Sequence, residues 1–278
     1  MTANDTGKPI KIVYYLYLVP DANWKEIASG QLRQLKNYGI LNEADLYIHI
    51  CDCHGLVAEA ESLIKDIVPS ALLNFSYENR FEYPGIKLVY DLAKQHPEAI
   101  FIYFHAKGVS HQIQLRSAKE VTLFTLTFKN WRKNIQLLNK NGIQKVGLFP
   151  AMLKAGLNKP GELGGWIWYN YWYATGKYLS QCPQPMVHKD RYYYEGWLGL
   201  HNADNTYITN DCASIYKIGL LSKTYFGPSE ADHHLSQATM KRAKTANKIA
   251  QVFYSPLFAH VYFKAKNFKR AVLSQSGK

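Results

Sequence analysis

Two runs of nearly unbroken β-branched, aliphatic and aromatic residues, Ile10–Val19 and Ala99–Phe104, constrain this chain more than any other feature. Runs too apolar to alternate inward and outward belong in the middle of a sheet covered on both faces. Asp45–Cys51 reads as a further strand, and a short one follows near Ala71–Phe75. Between the strands the period becomes helical. Trp24, Ile27, Ala28, Leu32, Leu35 and Tyr38 share one face, and Gly39 supplies the stop. Val57, Ala60, Ile64, Ile67 and Val68 mark a second helix before Pro69. Ile86, Val89, Tyr90 and Ala93 mark a third, ending before Pro97. Strands alternating with short helices predict an α/β fold, with a mostly parallel, Rossmann-like sheet and right-handed crossovers. Such sheets bind ligands beyond the carboxyl ends of their strands, so the residues after Val19, Cys51, Phe75 and Phe104 are the places to look for chemistry.

Beyond the fourth strand, Val121, Phe124, Phe128, Trp131, Ile135 and Leu138 read as one long helix, and Lys145–Phe149 as a fifth strand. From Gly161 the chain turns rich in Trp, Tyr and Gly and loses its regular periods. The expected organisation is one domain over residues 1–232, with a first half at about 1–150 and a second at 151–232. A helical extension follows over 233–278. That extension carries the charge: it holds nine Lys or Arg and no acid, whereas the rest of the chain sets 24 basic residues against all 21 acids. The net charge of +12 therefore belongs to the C-terminal end. No recognisable nucleic-acid module accompanies it, so nucleic acid is not an expected partner. Leu257, Val261, Phe268 and Val272 can share a helical face beside Lys264, Lys266, Lys269 and Arg270. That pattern fits a helix docked on the domain or one lying on an anionic membrane surface.

No stretch approaches the roughly 20 apolar residues of a membrane-spanning helix. Met1–Pro9 lacks the apolar core of a secretory signal, and a cytoplasmic protein is expected, peripheral at most to the inner face of the membrane. The four cysteines, Cys51, Cys53, Cys182 and Cys212, contain no Cys-x-x-Cys pair and fit reduced thiols. Asp232, His233 and His234 lack the i, i+4 spacing that helical metal sites use.

Two segments carry candidate chemistry. His105-Ala106-Lys107-Gly108 directly follows the fourth strand, where Lys107 can aim an ammonium at an anion and Gly108 permits a sharp turn. An ordinary polar turn is the alternative. The second segment runs from Trp166 through Ala174 and on to Asp190–Gly199. Rings can stack on sugar faces, and Glu195 can accept a proton from an attacking hydroxyl. Equally, the rings can be core, with Glu195 paired to Arg191 four residues earlier. Asp52 and His54 follow the second strand and suit either a nucleoside contact or a turn.

Four pieces recur in order: Tyr103-Phe104-His105-Ala106-Lys107-Gly108, Asn130-Trp131-Arg132, Asn170-Tyr171-Trp172-Tyr173-Ala174, and Arg191 through Gly199 with Glu195, Trp197 and Leu198. Together they resemble bacterial and viral glycosyltransferases of GT-A-like fold that serve surface polysaccharide assembly. The resemblance covers roughly Phe81–Gly199. It implies transfer of a sugar from a nucleotide-sugar donor to a saccharide or lipid-linked acceptor. His105, Lys107, Gly108 and Asp52 would face the donor, and Asn170, Trp172, Tyr173, Arg191 and Trp197 the acceptor. Glu195 would be the base, with inversion at the anomeric carbon. Many nucleotide-sugar transferases carry an acidic Asp-x-Asp pair where His105-Ala106-Lys107 stands, so no cofactor is expected, a divalent metal such as manganese being the alternative. One departure concerns the backbone: the glycine usual before the Asn is Tyr169 here. A second class, a carbohydrate- or membrane-surface-binding protein that kept the fold without the chemistry, would bind nucleotide and transfer nothing.

Overall fold

The computed structural model describes residues 7–106, 116–153, 163–201, 206–216 and 223–253. The run that opens the chain is β1 (Ile10–Leu18), and it is buried almost throughout. It pairs in parallel with β2 (Ala44–Asp52) on one side and β4 (Ile100–His105) on the other. β3 (Leu72–Ser76) extends the sheet beyond β2. The crossovers are α1 (Trp24–Asn37), α2 (Val57–Ile67) and α3 (Tyr83–Gln95). Gly39 stands in the left-handed region at φ 72° just beyond α1, as its place in the pattern predicts. The result is the expected α/β architecture with a mostly parallel sheet flanked by helices.

Successive strand residues face opposite sides, and each side has its own core. Tyr14 stacks on Phe104 at 4.4 Å, and Phe124 and Phe128 meet Phe104 edge-on. Both phenylalanines come from α4 (Ala118–Phe128). On the opposite side Val13, Tyr15, Phe101 and Tyr103 pack with Ile86 and Val89 of α3 and with Trp172, Tyr194 and Trp197 from the second half.

Two features depart from expectation. The long helix through Leu138 is broken into α4 and α5 (Trp131–Leu137). The Thr127 carbonyl, which would accept from the Trp131 amide in a continuous helix, accepts instead from the Tyr173 hydroxyl and Asn134 Nδ2, each at 2.8 Å. The second departure is in the sheet, whose order is β11-β5-β8-β4-β1-β2-β3. Here β5 is Lys145–Gly147, β8 Trp172–Thr175 and β11 Cys212–Ser214, and β8 lies antiparallel to both β4 and β5. A strand from the second half thus separates two strands of the first.

Two-stranded ribbons join β6 (Pro150–Leu153) to β7 (Leu163–Ile167) and β9 (Leu200–His201) to β10 (Thr206–Tyr207). The chain divides into two compact units, Met1–His233 and His234–Lys278. The helices α6 (Gly176–Leu179) and α7 (Tyr192–Gly196) belong to the first, and α8 (Pro228–Phe253) begins there. Among the described residues, no helix is long and apolar enough to cross a membrane. The basic amphipathic stretch from Leu257 to Val272 lies outside the described residues.

His49 on β2 makes this fold sensitive to acid. Burial lowers its pKa to about 4, and its Nε2 meets Ser76 Oγ at 3.0 Å. The unfolded chain takes up that proton near pH 6.5 and the folded chain only near 4, so protonation favours unfolding. The contribution of neutral His49 is complete above about pH 6.5 and is lost as pH falls toward 4. Urea midpoints measured between pH 7 and 4 should show His49→Gln losing about 2–3 kcal/mol less than the parent over that window. Parallel curves would mean that His49 titrates normally.

Candidate active site

The sheet changes direction at β1, with β2 and β3 following to one side and β4 lying to the other. A ligand is expected outside the strand ends at such a switch point. There β1 and β4 come into register at Tyr15 and His105, and the Ala106 amide continues the ladder to the Tyr15 carbonyl at 3.0 Å. His105 Nε2 donates to the Tyr169 carbonyl at 3.2 Å, while Nδ1 lies 3.9 Å from Glu82 Oε1. Both ring nitrogens thus face oxygen acceptors.

Glu82, at the N-terminus of α3, organises the cluster. Its Oε2 accepts from the Tyr103 hydroxyl at 2.9 Å and from Asn170 Nδ2 at 2.7 Å. Burial, reinforced by the Glu82 charge, raises the Tyr103 pKa well above that of a free phenol, so this hydroxyl stays a donor. The first turn of α3 can approach so closely because residue 85 is glycine: a Cβ there would stand 2.8 Å from Tyr15 Cβ and 3.0 Å from the Tyr103 hydroxyl.

Asn170 ties three distant segments together. Besides Glu82, it reaches the Tyr194 carbonyl of α7 at 3.4 Å and accepts from Trp172 Nε1 at 2.7 Å. Holding it there requires an unusual backbone. Tyr169 and Asn170 both sit in the left-handed region, at φ 70° and 56°. Tyr169 thus adopts the conformation a glycine would take without strain, at a cost of order 1–3 kcal/mol. Phe81, next to Glu82, is a third left-handed residue, at φ 52°. Strain gathered on both sides of one carboxylate is characteristic of a site rather than of a scaffold.

Glu195 follows Tyr194 on α7 and is half-buried. Among the described residues no ion pair or hydrogen bond is made by its carboxylate. Arg191 is instead exposed, stacked over the Tyr192 ring at 4.9 Å and bonded to its hydroxyl at 3.2 Å. The pairing of Arg191 with Glu195 that the i, i+4 spacing allows does not form. Glu195 does act on Tyr169, whose pKa is raised by burial first and then by the charges of Asp232 and Glu195.

The remaining sequence candidates divide clearly. Lys107 and Gly108 lie outside the described residues. Asp52 ends β2 as expected, but its two oxygens accept from the His54 and Val57 amides at 2.8 and 2.7 Å, so it holds the turn into α2. Trp172, Tyr173 and Trp197 are fully buried. Tyr173 bonds the Thr127 carbonyl, Trp197 Nε1 bonds the Pro183 carbonyl at 2.9 Å, and Trp172 stacks on Tyr103. Rings enclosed in this way cannot stack on a sugar, and the expectation that these three form an acceptor platform gives way to a core role. Asp211 pairs with the fully buried Lys145 at 2.9 Å.

Sequence reasoning missed Glu82. Its signal was faint: a carboxylate before Pro84 and Gly85, at a helix start that the strand order places beside the other strand ends.

No protein-family model matches the chain, and neither does any curated protein. Solved structures similar to it include 4-diphosphocytidyl-2C-methyl-D-erythritol synthase from Anaerococcus prevotii, at 9% identity over 87% of this chain and 100% of that one, with TM-score 0.41. A second structure of a 4-diphosphocytidyl-2C-methyl-D-erythritol synthase aligns at 8% identity over 83% and 100%, with TM-score 0.35. HddC from Yersinia pseudotuberculosis aligns at 12% identity over 82% and 98%, with TM-score 0.37. Likeness at this level transfers no residue's role to the present chain.

Proposed function

We propose that this chain is a glycosyltransferase of GT-A-like fold, moving a sugar from a nucleotide-sugar donor to a saccharide or lipid-linked acceptor. The observation that carries the reading is the Asn170 junction. Through it the end of β4, the strained turn at Tyr169 and the segment bearing Glu195 meet at the switch point of the sheet. They belong to three of the four pieces whose order along the sequence prompts the family resemblance.

In this reading the donor lies across the carboxyl ends of β1 and β4, with its diphosphate toward His105 and the following Lys107-Gly108 segment. The acceptor approaches from α7. Its hydroxyl gives its proton to Glu195 while its oxygen bonds the anomeric carbon, and the bond to the diphosphate breaks on the opposite side. Such a displacement inverts the anomeric configuration. Positive charge where the diphosphate leaves stabilises the transition state, a task that needs no metal when a side-chain cation is in place. The expected setting is the cytoplasm, with an anionic membrane surface as a further partner of the C-terminal extension.

Thermal stabilisation by a panel of common nucleotide sugars tests the reading, because a bound donor raises apparent stability by mass action. Lys107→Ala should then weaken binding of the stabilising nucleotide by about 1.5–3 kcal/mol in calorimetry with its melting temperature unchanged. Equal affinity removes Lys107 from the donor site. Nucleotide binding with neither transfer nor hydrolysis would favour the non-catalytic binding protein.

A further inference from the structure

On the α3 side of the sheet, at its β3 edge, lies a cleft of about 510 Å³ that the transfer chemistry does not use. This is well within the size range of small-molecule sites. Its lining includes His49, Asn74 and Ser76 from the strands, with Tyr77, Tyr83 and Leu88. Along α3 the lining extends from Tyr83 to Asp91, about 12 Å at 1.5 Å per residue. Tyr83 directly follows Glu82 and its ring lies 6.4 Å from that of Tyr194, so one end of the cleft adjoins the strained cluster.

The charges narrow the ligand. Arg80 donates twice to Glu78, at 2.8 and 2.5 Å, and Lys87 twice to Asp91, at 2.7 and 2.6 Å. Every cation of the lining thus has its own carboxylate, and His49 is neutral near pH 7. Among the described residues, a phosphate or nucleotide would find no unneutralised charge here. What the lining leaves to a ligand is the planar amide of Asn74, with the Arg80 Nη1 and the second lone pairs of Asp91 that those two ion pairs do not use. Beside them stands Tyr77, a ring 68% exposed. Planar polar pairs match adjacent hydroxyls, and an exposed ring matches a face of C–H groups. Uncharged sugars carry both.

We propose that the β3–α3 cleft binds an uncharged oligosaccharide, holding a glycan chain that extends away from the Glu82 cluster. Its role as an acceptor subsite rests on the transferase reading, but the binding itself does not.

The test uses the full chain and neutral trisaccharides of glucose, galactose, mannose and N-acetylglucosamine, with uridine and cytidine diphosphates as charged comparators. Saturation-transfer NMR and calorimetry report binding. At least one trisaccharide should bind saturably, and Tyr77→Ala should weaken it about tenfold, as loss of an aromatic face predicts. Asn74→Ala should weaken it as well, and neither variant should alter diphosphate binding. The exposure of Tyr77 keeps its variant folded should Asn74→Ala not be. The proposal is overturned if no trisaccharide binds, if binding ignores Tyr77→Ala, or if the variants abolish diphosphate binding, which would give the cleft to the donor. Trisaccharide binding without any donor binding would leave the cleft standing and remove the transferase reading.

Discussion

Glu195→Gln is expected to lower turnover by about 10²–10⁴-fold while leaving donor affinity unchanged, the usual effect of losing a general base. The substitution keeps the shape of the side chain and removes only its ability to hold a proton. Position 195 suits this test because its carboxylate makes no ion pair among the described residues and Arg191 is engaged with Tyr192. Melting temperature should therefore move little, and a loss of rate cannot be put down to a damaged fold. Single-turnover transfer, with donor binding measured separately, separates the chemical step from binding. A rate within a few-fold of the parent would assign Glu195 a different task and turn attention to Glu82, the other carboxylate of the cluster.

Arg116→Ala should cost about 3–5 kcal/mol of folding stability, the penalty for leaving a buried charge without its partner. Arg116 grips both oxygens of Glu120, at 2.6 and 2.7 Å, and Glu120 is almost wholly enclosed. Gln34 Oε1 accepts from the guanidinium at 2.7 Å, and Gln31 Nε2 donates to Glu120 and to the Tyr171 hydroxyl, which donates in turn to the His105 carbonyl at 2.8 Å. Even α1 is shaped around this group: a Cβ at Gly30 would fall 2.5 Å from the guanidinium. Urea denaturation measures the loss. Replacing the pair together, as Arg116→Met with Glu120→Leu, should recover most of it, because the cost comes from the orphaned charge rather than from the bridge. A loss below about 1 kcal/mol for Arg116→Ala would place the pair among ordinary surface bridges. The network ends on β4 at His105, so destabilised variants should also misplace that ring.

The legible parts of this molecule were those that local pattern controls. β1 and β4 announce themselves by composition, and α1 and α3 by one apolar face, because burial of that face is what makes the element form. β8 was not legible from composition: at four residues, Trp172–Thr175 does not stand out from the Trp- and Tyr-rich segment around it as β1 and β4 do, and its place is set by partners distant in sequence. The break between α4 and α5 escaped for a similar reason, since the group that takes the Thr127 carbonyl, Tyr173, lies 46 residues away. Within the site, His105 stood out as a polar residue directly after an apolar strand, and Asn170 through the family resemblance alone. Glu82 did not, because its partner Asn170 is 88 positions distant and no local feature identifies it. Trp172, Tyr173 and Trp197 misled in the other direction, as large rings serve a core and a sugar platform equally well in composition.

The place of β8 has a consequence for biosynthesis. β4 and β5 emerge from the ribosome before β8, yet neither pairs with the other; each waits for the strand that will lie between them. A nascent chain ending near residue 150 therefore holds one four-stranded sheet fragment and a lone β5, with the fragment's edge open along the apolar Ile100–Phe104. Unpaired apolar edges are templates for association with other chains. The first half should consequently be insoluble when expressed alone, and in the cell the interval between synthesis of β5 and of β8 is when this chain most needs a chaperone.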